Sequence, residues 1–426
     1  MISQTGDPAE LDLQAAADLS NTQIDVGAVL NTLLDQAELA APTNIGKPGA
    51  VDIDYEPVLR LFSRLFNNVG DPRVDGDGAA HTKILERAVI DWCADLFGLP
   101  PDDSWGYVTA GGTEGNLAAL HAAHHRFLGR RRRAGRIVHD DAPAPAPLVL
   151  YSQEAHYSIR KIVEIIGADA LVVDVDNRGE MDYGHLAELV AEHRDHPIIV
   201  VATAGTTMGE AVDSTSRINA VLVRHQVRHR HLHVDGALSG FPLALDGGLQ
   251  FDAVSGVDSI AVSGHKFFGT PIPCGVVLMR DSIRTQGRYI SYTAAPDTTV
   301  SGSRCGQAAA LIWYAIAKYG AAGHRARADG ARALAAYTAD RLTEIGWPAW
   351  RHPDAFTVVL RTPPEPITRK WMLSTGEDGD WSHTVVMPGI SRAQVDAFVS
   401  DLAADGVGSR LPRPRRATQP GPQADQ

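Results

Sequence analysis

Short apolar runs separated by longer, helix-like stretches dominate the middle of the chain. Runs rich in Val, Ile and Leu are typical of buried strands, and the stretches between them have helical spacing. Strands that alternate with helices predict a mostly parallel sheet covered on both faces. The predicted strands are residues 148–151, 171–175, 197–203, 232–235, 259–262 and 275–279.

The pattern changes near Leu311, where about thirty helical, Ala-rich residues begin. Two strand-like runs, 355–360 and 383–387, and a helix starting near Ser391 follow, which predicts a small α+β domain after a large α/β domain. We expect a basic, Pro-rich stretch at 129–147 to be a solvated loop. The predicted divisions are an N-terminal arm (1–54), the large domain (55–308), the small domain (309–410) and a disordered tail (411–426).

Composition narrows the class of protein. The 426 residues are 44% hydrophobic and carry a net charge of −12, which excludes whole-chain disorder and argues against nucleic-acid binding. No apolar run approaches the ~20 residues of a membrane span, and no basic start precedes an apolar stretch. Cys93, Cys274 and Cys305 are widely spaced, as in cytoplasmic proteins, and no C-x-x-C pair or completed histidine cluster indicates a metal site.

Lys266 is the first residue with candidate chemistry. It stands in Ser-Gly-His-Lys, just past the predicted strand 259–262. Ligands of α/β sheets bind at the carboxyl ends of strands, and a lysine amine held there can react with an aldehyde cofactor. Taken alone, Lys266 is better explained as a surface lysine at a strand end.

Asp235 ends another predicted strand, and Ala237 follows it two residues later. An aspartate facing a heterocyclic nitrogen keeps that nitrogen protonated, which turns a pyridine ring into an electron sink. The small side chain of Ala237 leaves room for a flat ring. A helix cap is the alternative interpretation of Asp235.

Three further segments fall at strand ends or helix starts. Residues 109–116 read Thr-Ala-Gly-Gly-Thr-Glu-Gly-Asn before a helical stretch, which suits phosphate binding by a helix N-terminus. His156 follows the strand 148–151 and can stack on a ring, while Thr206 follows the strand 197–203. Together these segments predict one site for pyridoxal 5′-phosphate at one edge of the sheet.

These motifs resemble those of the pyridoxal-phosphate-dependent group II amino-acid decarboxylases, and most closely their histidine decarboxylase and serine decarboxylase branch. The resemblance covers residues 55 to about 405. The segment around Lys266 is its most specific part. The matching segments are 106–116, 156–158, 205–207, 233–240, 263–275 and 301–304.

The resemblance implies a PLP-dependent transferase fold (fold-type I) and a homodimer with active sites at the subunit interface. It implies that Lys266 binds the cofactor covalently, that Asp235 pairs with the pyridine nitrogen, and that His156 and Ala237 contact the ring. The residues implied for the phosphate and the ring hydroxyl are Gly112, Thr113, Ser263, His265 and Thr206.

The resemblance also implies roles toward the substrate. Tyr289 lies in a segment, 288–292, that matches the family's mobile catalytic stretch, and it is the implied proton donor. His156, Tyr289 and Ala355 are the implied substrate contacts. The chain differs from the branch pattern at Gly236, Arg288, Cys305, Gln307 and Ala355.

The function implied is decarboxylation of an L-amino acid to its primary amine and CO₂, as in a histidine decarboxylase. Alternatives within this fold and cofactor are another small aliphatic or aromatic amino acid as substrate, a decarboxylating aldehyde synthase that uses oxygen, and an aminotransferase or other lyase. The non-enzyme alternative is a catalytically silent cofactor-binding scaffold. No metal, nucleic acid or membrane partner is expected.

Overall fold

A computed structural model describes residues 19–20, 24–76, 80–128, 131–133, 136–138 and 145–404. The helices are α1 Val26–Ala40, α2 Glu56–Leu59, α3 Lys83–Leu96, α4 Gly112–Phe127, α5 Tyr157–Ile166, α6 Tyr183–Glu192, α7 Thr215–Arg224, α8 Gly240–Leu245, α9 Gly264–Phe267, α10 Gly306–Glu344, α11 Glu365–Lys370 and α12 Arg392–Ala404.

The strands of the large sheet are β1 Ser104–Thr109, β4 Leu148–Ser152, β5 Asp169–Val173, β6 Ile198–Thr203, β7 Arg230–Asp235, β8 Ser259–Ser263 and β9 Gly275–Arg280. Shorter strands form separate ladders: β2 Arg131–Arg133, β3 Arg136–Val138, β10 Tyr289–Ile290, β11 Ala295–Pro296, β12 Ala349–Trp350, β13 Thr357–Arg361, β14 Ser374–Thr375 and β15 Trp381–Val385.

Seven strands form the large sheet in the order β1-β9-β8-β7-β6-β4-β5. The strands β5, β4, β6, β7 and β8 are parallel, and β9 runs antiparallel between β8 and β1. Every residue of β6 is buried, as expected of a central strand covered by helices on both faces. The predicted fold-type I α/β architecture is therefore confirmed.

The predicted strands of the large sheet are present with small shifts, and one strand of that sheet was missed. The run predicted at 171–175 forms the strand Asp169–Val173. Val175 lies beyond this strand and forms an isolated β-bridge with Met181. The missed strand is β1, whose sequence Ser-Trp-Gly-Tyr-Val-Thr lacks a run of β-branched residues. It forms because its backbone pairs with β9 along its whole length.

A second sheet, ordered β12-β13-β15-β14, follows the long helix α10. Its apolar core includes Val358, Leu342 and Phe398, from β13, α10 and α12. Helix α10 begins at Gly306, so it crosses the predicted boundary between 308 and 309, and it has a non-helical residue at Gly320. The division into domains stays a prediction.

The predicted segments 1–54, 129–147, 309–410 and 411–426 fall partly or wholly outside the described residues. In the stretch 129–147, predicted as a loop, β2 and β3 pair as a short antiparallel hairpin. The predicted tail 411–426 lies outside the described residues. Within the described part of the chain, no helix is both long and apolar enough to cross a membrane.

Candidate active site

The carboxyl ends of β1, β4, β6, β7 and β8 lie at one edge of the large sheet, because β1 and β8 are both antiparallel to β9. Thr203 pairs with Asp235, and Asp235 pairs with Ala261, in parallel register. Because parallel strands end at the same edge, the segments after them converge there. They surround a cavity of about 250 Å³ lined by Gly112, Thr113, Asn116, His156, Tyr157, Ser158, Thr203, Gly205, Thr207, Asp235, Ala237, Ser263, His265 and Lys266.

Lys266 lies in the short helix α9, which directly follows β8. Burial lowers the pKa of its amine, whereas the negative charges of Asp235 and Glu210 act in the opposite direction. A lowered pKa increases the share of neutral amine, which is the nucleophilic form. The structure therefore puts a reactive lysine inside the cavity, as the sequence predicts.

Asp235 is the last residue of β7 and is 4% exposed. The backbone N–H of Ala237 donates to Asp235 Oδ1 over 3.2 Å. This bond fixes the carboxylate while both residues line the cavity. Asp235 can thus hold a proton on a ring nitrogen, and Ala237 offers a flat surface beside it.

Gly112 and Thr113 form the first turn of α4, where backbone N–H groups have no partner within the helix. A Cβ atom added at Gly112 would lie 3.0 Å from Ser263 Oγ and 3.4 Å from Ala237 Cβ. A larger residue would therefore crowd this end of the cavity. Together with Thr113, Ser263 and His265, the helix start supplies hydroxyl, imidazole and N–H donors suited to a phosphate.

His156 caps the N-terminus of α5 with its ring. Its Nδ1 lies 2.7 Å from Ser158 Oγ, and it accepts a hydrogen bond from the Ser158 backbone N–H over 3.3 Å. Burial lowers the pKa of His156, with Asp235 opposing that shift. The neutral ring with Nδ1 as acceptor carries its proton on Nε2, so Nε2–H is available to a ligand.

The two threonines after β6 differ in their surroundings. Thr206 Oγ1 accepts a hydrogen bond from the backbone N–H of Ala211 over 2.9 Å, and Thr207 rather than Thr206 lines the 250 Å³ cavity. Gly205 has a φ of +102°, and a Cβ there would lie 2.5 Å from Ser239 Oγ, so this turn requires glycine. The predicted contact of Thr206 with the ring hydroxyl stays a prediction.

A second, larger cavity of about 1160 Å³ adjoins the first and shares His156, Tyr157 and Thr207 with it. Trp350 and Trp381, from the small sheet region, also line it. The three shared residues make this cavity a neighbour of the one that contains Lys266.

Tyr289 and Ala355 do not line either cavity. Tyr289 is 61% exposed on the hairpin formed by β10 and β11, and Ala355 is buried just before β13. The structure of a single chain therefore does not bring these two predicted substrate contacts to Lys266.

Several polar residues at the site were given no role from the sequence; Tyr157, Ser158, Thr203 and Thr207 line the cavity, and Asn116 and Glu210 matter most for the chemistry. Asn116 lines the cavity, although the sequence motif 109–116 was used to predict roles for Gly112 and Thr113 alone. Glu210 is buried and accepts hydrogen bonds from Ser239 Oγ and from the backbone N–H and hydroxyl of Thr357. A polar residue one helical turn after Gly112 was a usable signal for Asn116, but no local pattern marks Glu210.

The histidines His231 and His233 are buried in the sheet. Both bond to Ser259, and His233 also bonds to Asn116. Among the described residues, no group of three or more His, Cys, Asp or Glu side chains could hold a metal ion.

The lining residues fit pyridoxal 5′-phosphate. Donors suited to a phosphate lie at the start of α4 and around Ser263, Asp235 would partner the ring nitrogen, and Lys266 would supply the amine for the aldehyde carbon. The crowding that a Cβ at Gly112 would cause shows that this end is shaped for a group packed against bare backbone.

Comparison with known proteins agrees with this geometry. Residues 65–346 match the model of the pyridoxal-dependent decarboxylase conserved domain. A histidine decarboxylase of Mesorhizobium japonicum is 38% identical over 88% of this chain and 96% of its own length. A histidine decarboxylase of Pseudomonas entomophila is 36% identical over 85% of this chain and 86% of its own length.

Among solved structures, L-methionine decarboxylase from Streptomyces sp. 590, in complex with L-methionine methyl ester, superposes with a TM-score of 0.79. It is 27% identical, and the match covers 89% of this chain and 95% of that one. The chain belongs to the pyridoxal-dependent decarboxylase family, and it is a carboxy-lyase that decarboxylates an amino acid with pyridoxal 5′-phosphate as cofactor.

Proposed function

We propose that the substrate is L-histidine and that the products are its primary amine, histamine, and CO₂. The observation that carries this proposal is the 38% identity to a histidine decarboxylase across 96% of that protein's length. The structural neighbour that acts on L-methionine is more distant in sequence, at 27% identity.

The roles proposed for the cavity residues follow from their chemistry. Lys266 would hold the cofactor covalently through its amine. Gly112, Thr113, Ser263 and His265 hold the phosphate, and Asp235 keeps the ring nitrogen protonated. When bound, pyridoxal 5′-phosphate supplies an electron sink for the pair left by the departing carboxylate.

His156 and the cavity walls orient the substrate. The bond that breaks is the one held perpendicular to the cofactor ring, so a decarboxylase must hold the Cα–carboxylate bond in that position. The free Nε2–H of His156 is suited to donate a hydrogen bond to the substrate carboxylate before it leaves. The same ring then limits the access of water to Cα.

A proton must return to Cα after CO₂ has left, and we propose that Tyr289 of a second copy supplies it. Within one chain Tyr289 is 61% exposed and does not line the cavity. An exposed hydroxyl on a hairpin can enter the site of a neighbouring subunit.

A homodimer with active sites at the interface is the assembly proposed. Helix α1 supports it, because none of its residues is buried and several large apolar side chains face solvent. A surface of this kind is typical of a protein interface. Its exposed apolar residues are Val26, Leu30, Leu33, Leu34 and Leu39.

We also infer a cytoplasmic location. The three cysteines are unpaired, and widely spaced free thiols are typical of proteins kept in a reducing compartment.

The substrate is tested by measuring amine and CO₂ release from each of the twenty amino acids with the holoenzyme. We expect L-histidine to have the highest kcat/KM, with L-methionine as the informative competitor. The Lys266→Ala variant is the control for any decarboxylation that the cofactor carries out without this lysine. Faster release from any other amino acid contradicts the substrate proposal while leaving the decarboxylase assignment intact.

The assembly is tested by sedimentation at low micromolar concentration, where we expect twice the mass of one chain. Leu30→Asp and Leu34→Asp together place two charges on the exposed face of α1 and should shift the population toward the monomer. A fully active monomer contradicts a shared active site.

A further inference from the structure

Asn116 lies on α4 one turn after Gly112 and Thr113, and therefore on the same face of that helix. Its side chain is almost fully buried, at 1% exposure, yet it lines the cavity that contains Lys266. Its Oδ1 accepts a hydrogen bond from His233 Nε2 over 2.9 Å. Among the described residues, no acceptor bonds to its Nδ2.

A buried chain of hydrogen bonds fixes the direction of this amide. His233 Nδ1 lies 2.9 Å from Ser259 Oγ, and the same oxygen lies 2.8 Å from His231 Nε2. Because Asn116 Oδ1 can only accept, His233 carries its proton on Nε2 and accepts the Ser259 hydroxyl at Nδ1. The Ser259 oxygen in turn accepts from His231 Nε2–H.

Each imidazole of this chain carries a single proton. Both rings are fully buried in the sheet, and burial lowers the pKa of each to about 3. A neutral imidazole has one donor and one acceptor, so the three bonds can run in one direction. Because Oδ1 of Asn116 bonds to His233, the amide N–H₂ on the other side of the group faces the cavity.

We propose that Asn116 is a further cofactor-binding residue, which donates its free amide N–H to an anionic oxygen of the pyridoxal phosphate, and that His233, Ser259 and His231 act as positioning residues for it. The shared face of α4 makes the phosphate the expected acceptor, because Gly112 and Thr113 lie at that end. Asn116 lines the cavity and has no second partner for its amide in the described part of the chain, so this donor is available to a ligand there.

The first test measures the dissociation constant of pyridoxal 5′-phosphate for the apoprotein by absorbance titration. Asn116→Ala removes the donor and should raise the dissociation constant about tenfold. Asn116→Asp keeps an acceptor oxygen toward His233 but replaces the N–H₂ that faces the cavity with a second acceptor oxygen. This variant should therefore raise the dissociation constant about 10²-fold. Unchanged affinity in Asn116→Asp, with the fold intact by circular dichroism, overturns the proposal.

Asn219 provides the matched control. Asn219 lies on α7, and its Nδ2 donates to the carbonyl oxygens of Ala253 and Val254. It does not line the cavity. Asn219→Ala and Asn219→Asp therefore report what the same changes do to stability alone. Equal losses of cofactor affinity at both positions contradict a specific role for Asn116.

The positioning chain is tested by a double-mutant cycle with Ser259→Ala. Ser259 is buried in β8 and does not touch the cavity, so its effect on the cofactor must pass through another residue. We expect about a threefold loss of cofactor affinity in the wild-type background and none when residue 116 is already Ala. Equal losses in both backgrounds overturn the positioning role.

Pyridoxal without its phosphate identifies the acceptor. If Asn116 donates to the phosphate, the Asn116→Ala variant and the wild type should bind pyridoxal equally well. If Asn116→Ala loses affinity for both compounds, Asn116 still binds the cofactor, but its contact is with the ring rather than with the phosphate. A loss with neither compound overturns the proposal.

Discussion

The cofactor cavity and the Tyr289 hairpin are built in opposite ways. In the cavity, Asp235 is 4% exposed and bonded to the Ala237 backbone, and His156 is fixed by Ser158. On the hairpin, Tyr289 is 61% and Tyr292 86% exposed, and the paired strands are two residues long. Groups that stabilise charge must be held in place in advance, whereas a proton donor can arrive later.

The base of the hairpin is nevertheless anchored. The Asp71 backbone N–H donates to the Pro296 carbonyl over 2.9 Å, and Asp71 Oδ2 accepts from the Thr298 hydroxyl over 2.9 Å. Arg284, before the hairpin, forms an ion pair with the same carboxylate. The two ends of the segment are thus fixed to one buried residue, and its tip is free to meet another surface.

Lys266→Ala should have the largest effect, because no other side chain of the cavity offers an amine for the covalent bond. We expect the decarboxylation rate to fall by at least about 10⁴-fold. Borohydride reduction and peptide mass mapping of the wild type should find the pyridoxyl group on Lys266. Lys318→Ala, at an exposed position on α10, is the control, and a label on any other lysine contradicts the assignment.

Asp235→Asn should keep the cofactor but lose turnover by a factor of about 10² or more, because an amide cannot hold the ring proton by charge. The measurements are kcat and the cofactor content of the purified variant. Asp258→Asn is a suitable control, since Asp258 accepts from the Leu232 backbone outside the cavity. Near-normal turnover in folded Asp235→Asn would show that the ring nitrogen is handled by another group.

Tyr289→Phe should still release CO₂ but form amine about tenfold to 10²-fold more slowly, because a positioned acid has been removed. Parallel assays of CO₂, amine and aldehyde would detect diversion to an oxygen-dependent product. Tyr292→Phe, on the same hairpin, is the matched control. If Tyr289→Phe matches the wild type in all three assays, the proton comes from elsewhere and the contrast between cavity and hairpin loses its functional meaning.

The smallest expected effect concerns the stability of the buried chain behind the cavity. The pKa of His231 falls from 6.5 to about 3 on folding. Between pH 3 and pH 6.5, the unfolded state therefore binds a proton at this histidine and the folded state does not. Stability is therefore lost as the pH decreases through 6.5. Moving from pH 7 to pH 5 should cost about 2 kcal/mol through this one residue.

The His231→Gln variant keeps a donor toward Ser259 but does not titrate. Urea unfolding of the apoprotein at both pH values should show a pH dependence about 2 kcal/mol smaller in this variant. His225→Gln, at the C-cap of α7 and outside the buried chain, should leave the dependence as in the wild type. An equal pH dependence in wild type and His231→Gln contradicts the burial argument.

Local pattern determined much of this protein. Alternation of apolar runs with helical spacing predicted the parallel sheet, and strand-end motifs predicted that Lys266, Asp235, His156 and Gly112 would meet. This worked because strand direction alone sends the residues after parallel strands to one edge. Motif identity then supplied the cofactor.

The tertiary structure decided what local pattern does not encode. Strand β1 pairs with β9 along its whole length, and its Trp, Tyr, Val and Thr residues suit a strand, although they do not form a continuous apolar run. Glu210 reaches Thr357, and Asn116 meets His233, across large separations in sequence. Which of two neighbouring threonines faces the cavity, and that Tyr289 lies outside it, likewise depend on how distant segments pack, because packing contacts form between residues that no sequence window contains together.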